Sequence, residues 1–149
     1  MKLTGLLFIA LLLLFNSCRK DSFITSPDAR VSISRDTLHF DTVFVNTGST
    51  FRALTIKNEN DQALRLSSLQ LMGGNASAFK MNVDGTPGTQ FSNLEIAAND
   101  SLFVFVQVNV NPTTANLPFI IRDSIQFEYN GKMRKVQLEA WGRNAHFYR

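Results

Sequence analysis

The chain begins with one dense apolar run and continues as alternation. Leu3 to Phe15 is broken only by Thr4 and Gly5, whereas from Val31 onward apolar residues recur at every second position between turn signals, the period of half-buried strands. Val31 and Ile33 open the series. Leu38 and Phe40 follow, and the parity then shifts across Asp41-Thr42 to Val43 and Val45, as it does where a bulge bends a strand from one sheet toward another. Asn46 to Ser49 reads as a turn. Leu54 and Ile56 form the next strand, closed by the polar run Asn58 to Gln62. Leu64 and Leu66 stand on one parity and Leu69 and Leu71 on the other, which predicts an extra residue, a bulge, at Ser67-Ser68. Gly73-Gly74-Asn75 ends that strand.

Phe79, Met81 and Val83 alternate up to the turn Asp84-Gly85, and Pro87-Gly88 bars the next segment from a central strand. Leu102, Val104, Val106, Val108 and Val110 share one face while Phe103 and Phe105 lie on the other, so this strand is expected at the centre of a sheet. Pro112 ends it, and a loop to Pro118 leads to Ile125, Phe127 and Tyr129. Asn130-Gly131 is a strong hairpin signal, because a type I′ turn needs positive φ at both central positions. Val136, Leu138 and Ala140 return inward, which turns Trp141 outward. A second reading folds Trp141 over the open end of the core, since Trp is highly buried on average. About seven to eight strands without helices are best buried as an all-β, two-sheet, immunoglobulin-like sandwich over 31–143, followed by a tail at 144–149.

Composition is that of a globular domain, with 149 residues, 44% hydrophobic and 18% charged. After the leader about 130 residues remain, enough to bury roughly two-thirds of the unfolded surface without a metal or disulfide. The net charge of +3 falls by one when Lys2 leaves with the leader. The basic residues are dispersed and thicken only at Lys132, Arg134 and Lys135, which reads as a solvated strand face and excludes a nucleic-acid footprint.

Lys2 followed by the Leu3 to Phe15 run has the form of a signal peptide over 1–17, too short for a confident membrane span. Cys18, the single cysteine, comes directly after Asn16-Ser17. These residues resemble the lipobox of bacterial lipoproteins, in which the leader is cut before a lipid-modified cysteine. Ser17 is the small residue expected before the cysteine, and the branched aliphatic residue expected three positions before it is Phe15 here, with Leu14 one further back. The leucine-rich run ending in Ser-Cys is similar to Bacteroidetes lipoproteins. The resemblance implies palmitate or similar acyl chains on Cys18, an outer-membrane anchor, and a tether at 18–30. Each buried methylene adds about 0.8 kcal/mol, so two or more chains hold stably where one does not. Lys20 and Asp21 partly resemble the surface-export signal of that group, which favours the cell surface over the periplasmic face.

The order of features from about 36 to 143 resembles the ASH and major-sperm-protein type of immunoglobulin-like domain. It has an early strand followed by Gly48, a strand closing at Asn58, a Gly-bearing loop leading to Phe79, a long apolar strand ending near Pro112, and a last strand reaching Gly142.

Candidate chemistry is sparse. His39 alternates with Leu38 and Phe40 and is expected outward, His146 lies in the tail, and neither has a ligand-spaced neighbour. No metal, cofactor or catalytic residue is expected. Asn58 to Asp61 carries enough oxygens for calcium, although polar turn residues serve without one. Asp followed by Ser or Thr and an aliphatic residue recurs at Asp36-Thr37, Asp41-Thr42, Asp100-Ser101 and Asp123-Ser124. The pattern resembles the O-glycosylation acceptor of Bacteroidetes and would make Thr37, Thr42, Ser101 and Ser124 glycan sites. The other reading is a turn ending where a strand begins. Trp141, Phe147 and Tyr148 are candidate interface residues, with no polar tail beyond them. The expected function is a non-catalytic, lipid-anchored envelope protein that binds a protein or glycan. The alternative is a structural spacer docking a further domain.

Overall fold

The computed structural model describes residues 22–44, 51–109 and 119–143. The leader, Cys18, Lys20, Asp21, the turn at 46–49, the loop between Pro112 and Pro118, and His146, Phe147 and Tyr148 lie outside them. Ten strands follow one another among the described residues: β1 (Val31–Ile33), β2 (Thr37–Phe44), β3 (Arg52–Asn58), β4 (Leu64–Leu71), β5 (Phe79–Val83), β6 (Thr86–Pro87), β7 (Gln90–Ile96), β8 (Ser101–Val108), β9 (Phe119–Tyr129) and β10 (Lys132–Arg143). A 3-10 turn at Gly74–Ala76 separates β4 from β5.

The strands form two five-stranded sheets, ordered β1-β3-β8-β5-β6 and β2-β10-β9-β4-β7. Between them lies one core, built from the residues that alternation turns inward. Leu102, Val104, Val106 and Val108 of β8 are buried, as are Val136, Leu138 and Ala140 of β10. Phe40 of the second sheet meets Phe79 of the first at 5.6 Å between ring centroids. β8 occupies the centre of its sheet, as its two apolar faces require. The architecture is an immunoglobulin-like β-sandwich.

The chain changes sheets between β1 and β2. β1 pairs antiparallel with β3, and β2 pairs parallel with β10 in the other sheet. The expected bulge is at Asp41-Thr42: Phe40 faces Ala140 and Val43 faces Gly142, so β2 uses one residue more than β10. Both predicted tight turns carry positive φ, at Asp84 and Gly85 and at Asn130 and Gly131.

Two expectations are corrected. Leu64, Leu66, Leu69 and Leu71 are all buried, so the parity of β4 does switch. It switches without an extra residue, because Leu66 pairs with Leu94 and Ser68 with Ser92 in unbroken register. The opposite strand changes face at the same step, through Asn93 at φ 53°. The second correction is the strand count. β6 is a two-residue edge strand that accommodates Pro87, and β7 escapes a period-2 reading because its face changes midway.

Candidate functional site

One end of the sandwich is closed by asparagines. Asn58 ends β3 fully buried, and its Nδ2 donates to the carbonyls of Gln62 (2.8 Å), Ile96 (3.2 Å) and Ala97 (2.9 Å). Its Oδ1 accepts from Asn60 N (3.1 Å) and Asn60 Nδ2 (2.7 Å). Asn60 in turn grips Arg30, accepting from its N–H at 3.0 Å and donating to its carbonyl at 2.9 Å. This geometry overturns the calcium reading of Asn58 to Asp61. The Asn58 oxygen already serves two N–H donors, and its amide nitrogen points at carbonyls a cation would need. Among the described residues no three His, Cys, Asp or Glu side chains are placed to share a metal.

The same end holds the incoming chain. Residues 22–30, expected to be part of a tether, lie against the sandwich. Phe23 bridges to Ala63 in parallel, and Ile24 N donates to Ala63 O at 2.8 Å. The Arg65 guanidinium sits 4.0 Å from the Phe23 ring centroid, a cation–π contact. Asn130 Nδ2, from the β9–β10 turn, donates to Ile24 O (3.1 Å) and Ser26 O (2.8 Å), and Ala29 is buried. Of the basic group nearby, Lys132 and Lys135 are exposed, while Arg134 is partly buried and reaches the carbonyl of Val31.

The acceptor-like sites fall in unlike places. Thr37 opens β2 and Ser101 opens β8, both half-buried, and Thr42 stands at the β2 bulge. Ser124 is only 5% exposed, so a glycan on it is incompatible with the folded chain, and that assignment is withdrawn. Its neighbour Asp123 is a loop fastener, accepting from Ser124 N, from Gly73 N and from the Ser77 hydroxyl. Asp100 likewise accepts from Ser101 N at 2.7 Å. At Asp100, directly before β8, the turn-to-strand reading describes what the aspartate does, whereas Asp123 stands inside β9 and no turn ends there.

Exposed apolar side chains concentrate on two surfaces. On the outer face of the first sheet, Phe103 (45% exposed) and Phe105 (38%) stack at 6.5 Å with an interplanar angle of 18°. Thr55 and Ala53 of β3 stand beside them in register. Phe51, 62% exposed, lies two residues before Ala53, just ahead of β3. At the far end of the second sheet, Trp141 is 45% exposed and pairs across the strands with Ile120, also exposed. The outward reading of Trp141 therefore holds over the core reading.

Sequence reasoning missed a groove of about 460 Å³ where the two sheets part. Leu38 forms its floor, Arg35, His39 and Asp41 one wall, and Phe51, Arg52 and Ala53 the other. The Arg52–Asp41 ion pair, 3.0 Å, spans the seam. No motif announces the groove, because it exists only where β2 leaves the sheet of β1 and β3.

No family model and no curated protein matches this sequence. Solved structures do. A Porphyromonas gingivalis W83 protein of unknown function is similar over 76% of this chain and 46% of its own, at 17% identity and a TM-score of 0.53. A family 123 glycoside hydrolase from Clostridium perfringens is similar over 78% of this chain and 27% of its own, at 11% identity and a TM-score of 0.52. WR4, a C. elegans major-sperm-protein family member, is matched over 77% of this chain and 99% of its own, at 13% identity and a TM-score of 0.42. The chain spans less than half the length of the first two, and the likeness to them is one of fold: an all-β sandwich of the immunoglobulin-like kind.

Proposed function

We propose that this chain is a non-catalytic, lipid-anchored cell-envelope module whose sandwich binds a protein or glycan partner. The observation that carries the reading is the aromatic surface of Phe51, Phe103 and Phe105 on a sheet with no described element covering it. Large aromatics half out of water, Phe103 and Phe105 on the central β8 and Phe51 just before β3, are unfavourable for a free domain and are favoured at interface centres.

The anchoring half rests on Cys18 and on the place where the chain enters. From Cys18 to Ser22 is four residue steps, at most about 14 Å. Ser22 accepts a hydrogen bond from Gln62 at the asparagine-closed end. Lipid on Cys18 would hold that end against the membrane. The opposite end, where β10 arrives after 12 residues, would then stand about 40 Å away. An outer-membrane, cell-surface site follows from the Lys20-Asp21 resemblance, with the periplasmic face as the alternative.

The spacer reading is favoured by a separate observation, the Trp141–Ile120 pair at that far end, which suits docking against a further domain. The two readings separate by photo-crosslinking in intact cells. A photoreactive residue at 103 is expected to give a discrete intermolecular adduct, and one at Lys135 none. No adduct from 103 together with an intramolecular one from 141 would leave the spacer.

A further inference from the structure

We infer that the free edge of β2 and the groove beside it form a strand-addition site for an extended segment of another polypeptide, one that carries an acidic side chain. The inference deepens the binding reading above and rests on it for the orientation of the chain on a membrane.

Gln137 N donates to Asp36 O at 2.9 Å, and Thr37 to Phe40 pair in register with Gln137 to Ala140. Backbone groups alternate along a parallel pair. Leu38 and Phe40 therefore turn theirs to β10, while Thr37, His39 and Asp41 turn theirs away. Among the described residues no strand meets that outer edge. The facing edge of β3 is open too, since β1 covers only Ile56 to Asn58 and Ser34 takes Thr55.

A row of unpaired backbone N–H and C=O groups is satisfied along its length by another extended backbone, and by little else. The groove adds side-chain readout. Phe51 offers an apolar contact, while Leu38 is buried at the floor. Arg52 is held by Asp41, while Arg35 has no ion-pair partner among the described residues, which leaves a cation for an incoming carboxylate.

A second copy of this chain fits the edge less well. Two β2 edges joined about a two-fold axis run antiparallel. That places the two N-terminal ends at opposite ends of the dimer, where lipid on both Cys18 residues could not reach one membrane.

The test pans the full chain, held in detergent micelles, against a displayed library of ten-residue peptides. Amide hydrogen exchange is then followed with each selected peptide added. The expected peptides alternate apolar residues with Asp or Glu and slow exchange at His39. They bind Arg35→Glu about tenfold more weakly, and lose binding when alternate peptide nitrogens are methylated. An empty selection, or peptides that leave His39 unprotected, overturns the site. So does slow exchange at His39 without peptide in a chain that is dimeric. Peptides protecting only Phe103 and Phe105 would sink the edge and leave the aromatic surface standing. Crosslinks absent at 103 with His39 protected would do the reverse.

Discussion

Asn58 and Trp141 show how differently two conspicuous residues are used. Asn58 is buried and donates to three carbonyls from two other segments, so Asn58→Ala removes all three bonds, the one to Ile96 in the interior. A loss of about 2–4 kcal/mol is expected in denaturant melts. Trp141 faces solvent, and Trp141→Ala is expected to cost less than about 1 kcal/mol, against about 3–5 for a core Trp. A large loss at Trp141 or a small one at Asn58 would contradict these assignments. The orientation of Trp141 was legible, since Val136, Leu138 and Ala140 set the parity of β10. The role of Asn58 was legible only as a strand end, because Ile96 and Ala97 lie nearly forty residues further on and nothing local marks them as its partners.

At the scale of elements, alternation located eight of the ten strands among the described residues and failed where two neighbours break it together. β4 could be followed because four leucines straddle its switch. β7 could not, because Phe91, Leu94 and Ile96 straddle the same switch with fewer apolar residues and more exposure. The docked entry segment was equally silent. Phe23, Ile24 and Ala29 show no period, and the partners of Phe23 and Ile24, namely Ala63, Arg65 and Asn130, are remote. Phe23→Ala removes the ring beneath Arg65 and is expected to cost about 1 kcal/mol. The sharper readout is limited proteolysis, in which cleavage within 22–26 should quicken while the sandwich stays intact. Unchanged cleavage would mean that Phe23 does not hold the segment down.

For the molecule as a whole, the sandwich and its inward residues were readable from period and turn chemistry. Its surfaces were not. The stacking of Phe103 on Phe105 follows from their spacing on β8, but the groove at Arg35, Leu38 and Phe51 arises from the crossing of β1 into β2 between sheets, which no local pattern encodes. The proposed anchor would set the sandwich at a membrane with its asparagine-closed end toward the lipid, and that placement depends on Cys18. No helix among the described residues is long and apolar enough to cross a membrane. The most direct measurement is fatty-acid labelling and fractionation of the wild-type chain beside Cys18→Ser in the native host. The wild-type chain should incorporate labelled palmitate and stay in the membrane pellet through a high-salt wash, and Cys18→Ser should lose both the label and the pellet. Equal labelling, or a Cys18→Ser chain that remains in the washed pellet, would contradict the anchor and with it the orientation of every surface described above.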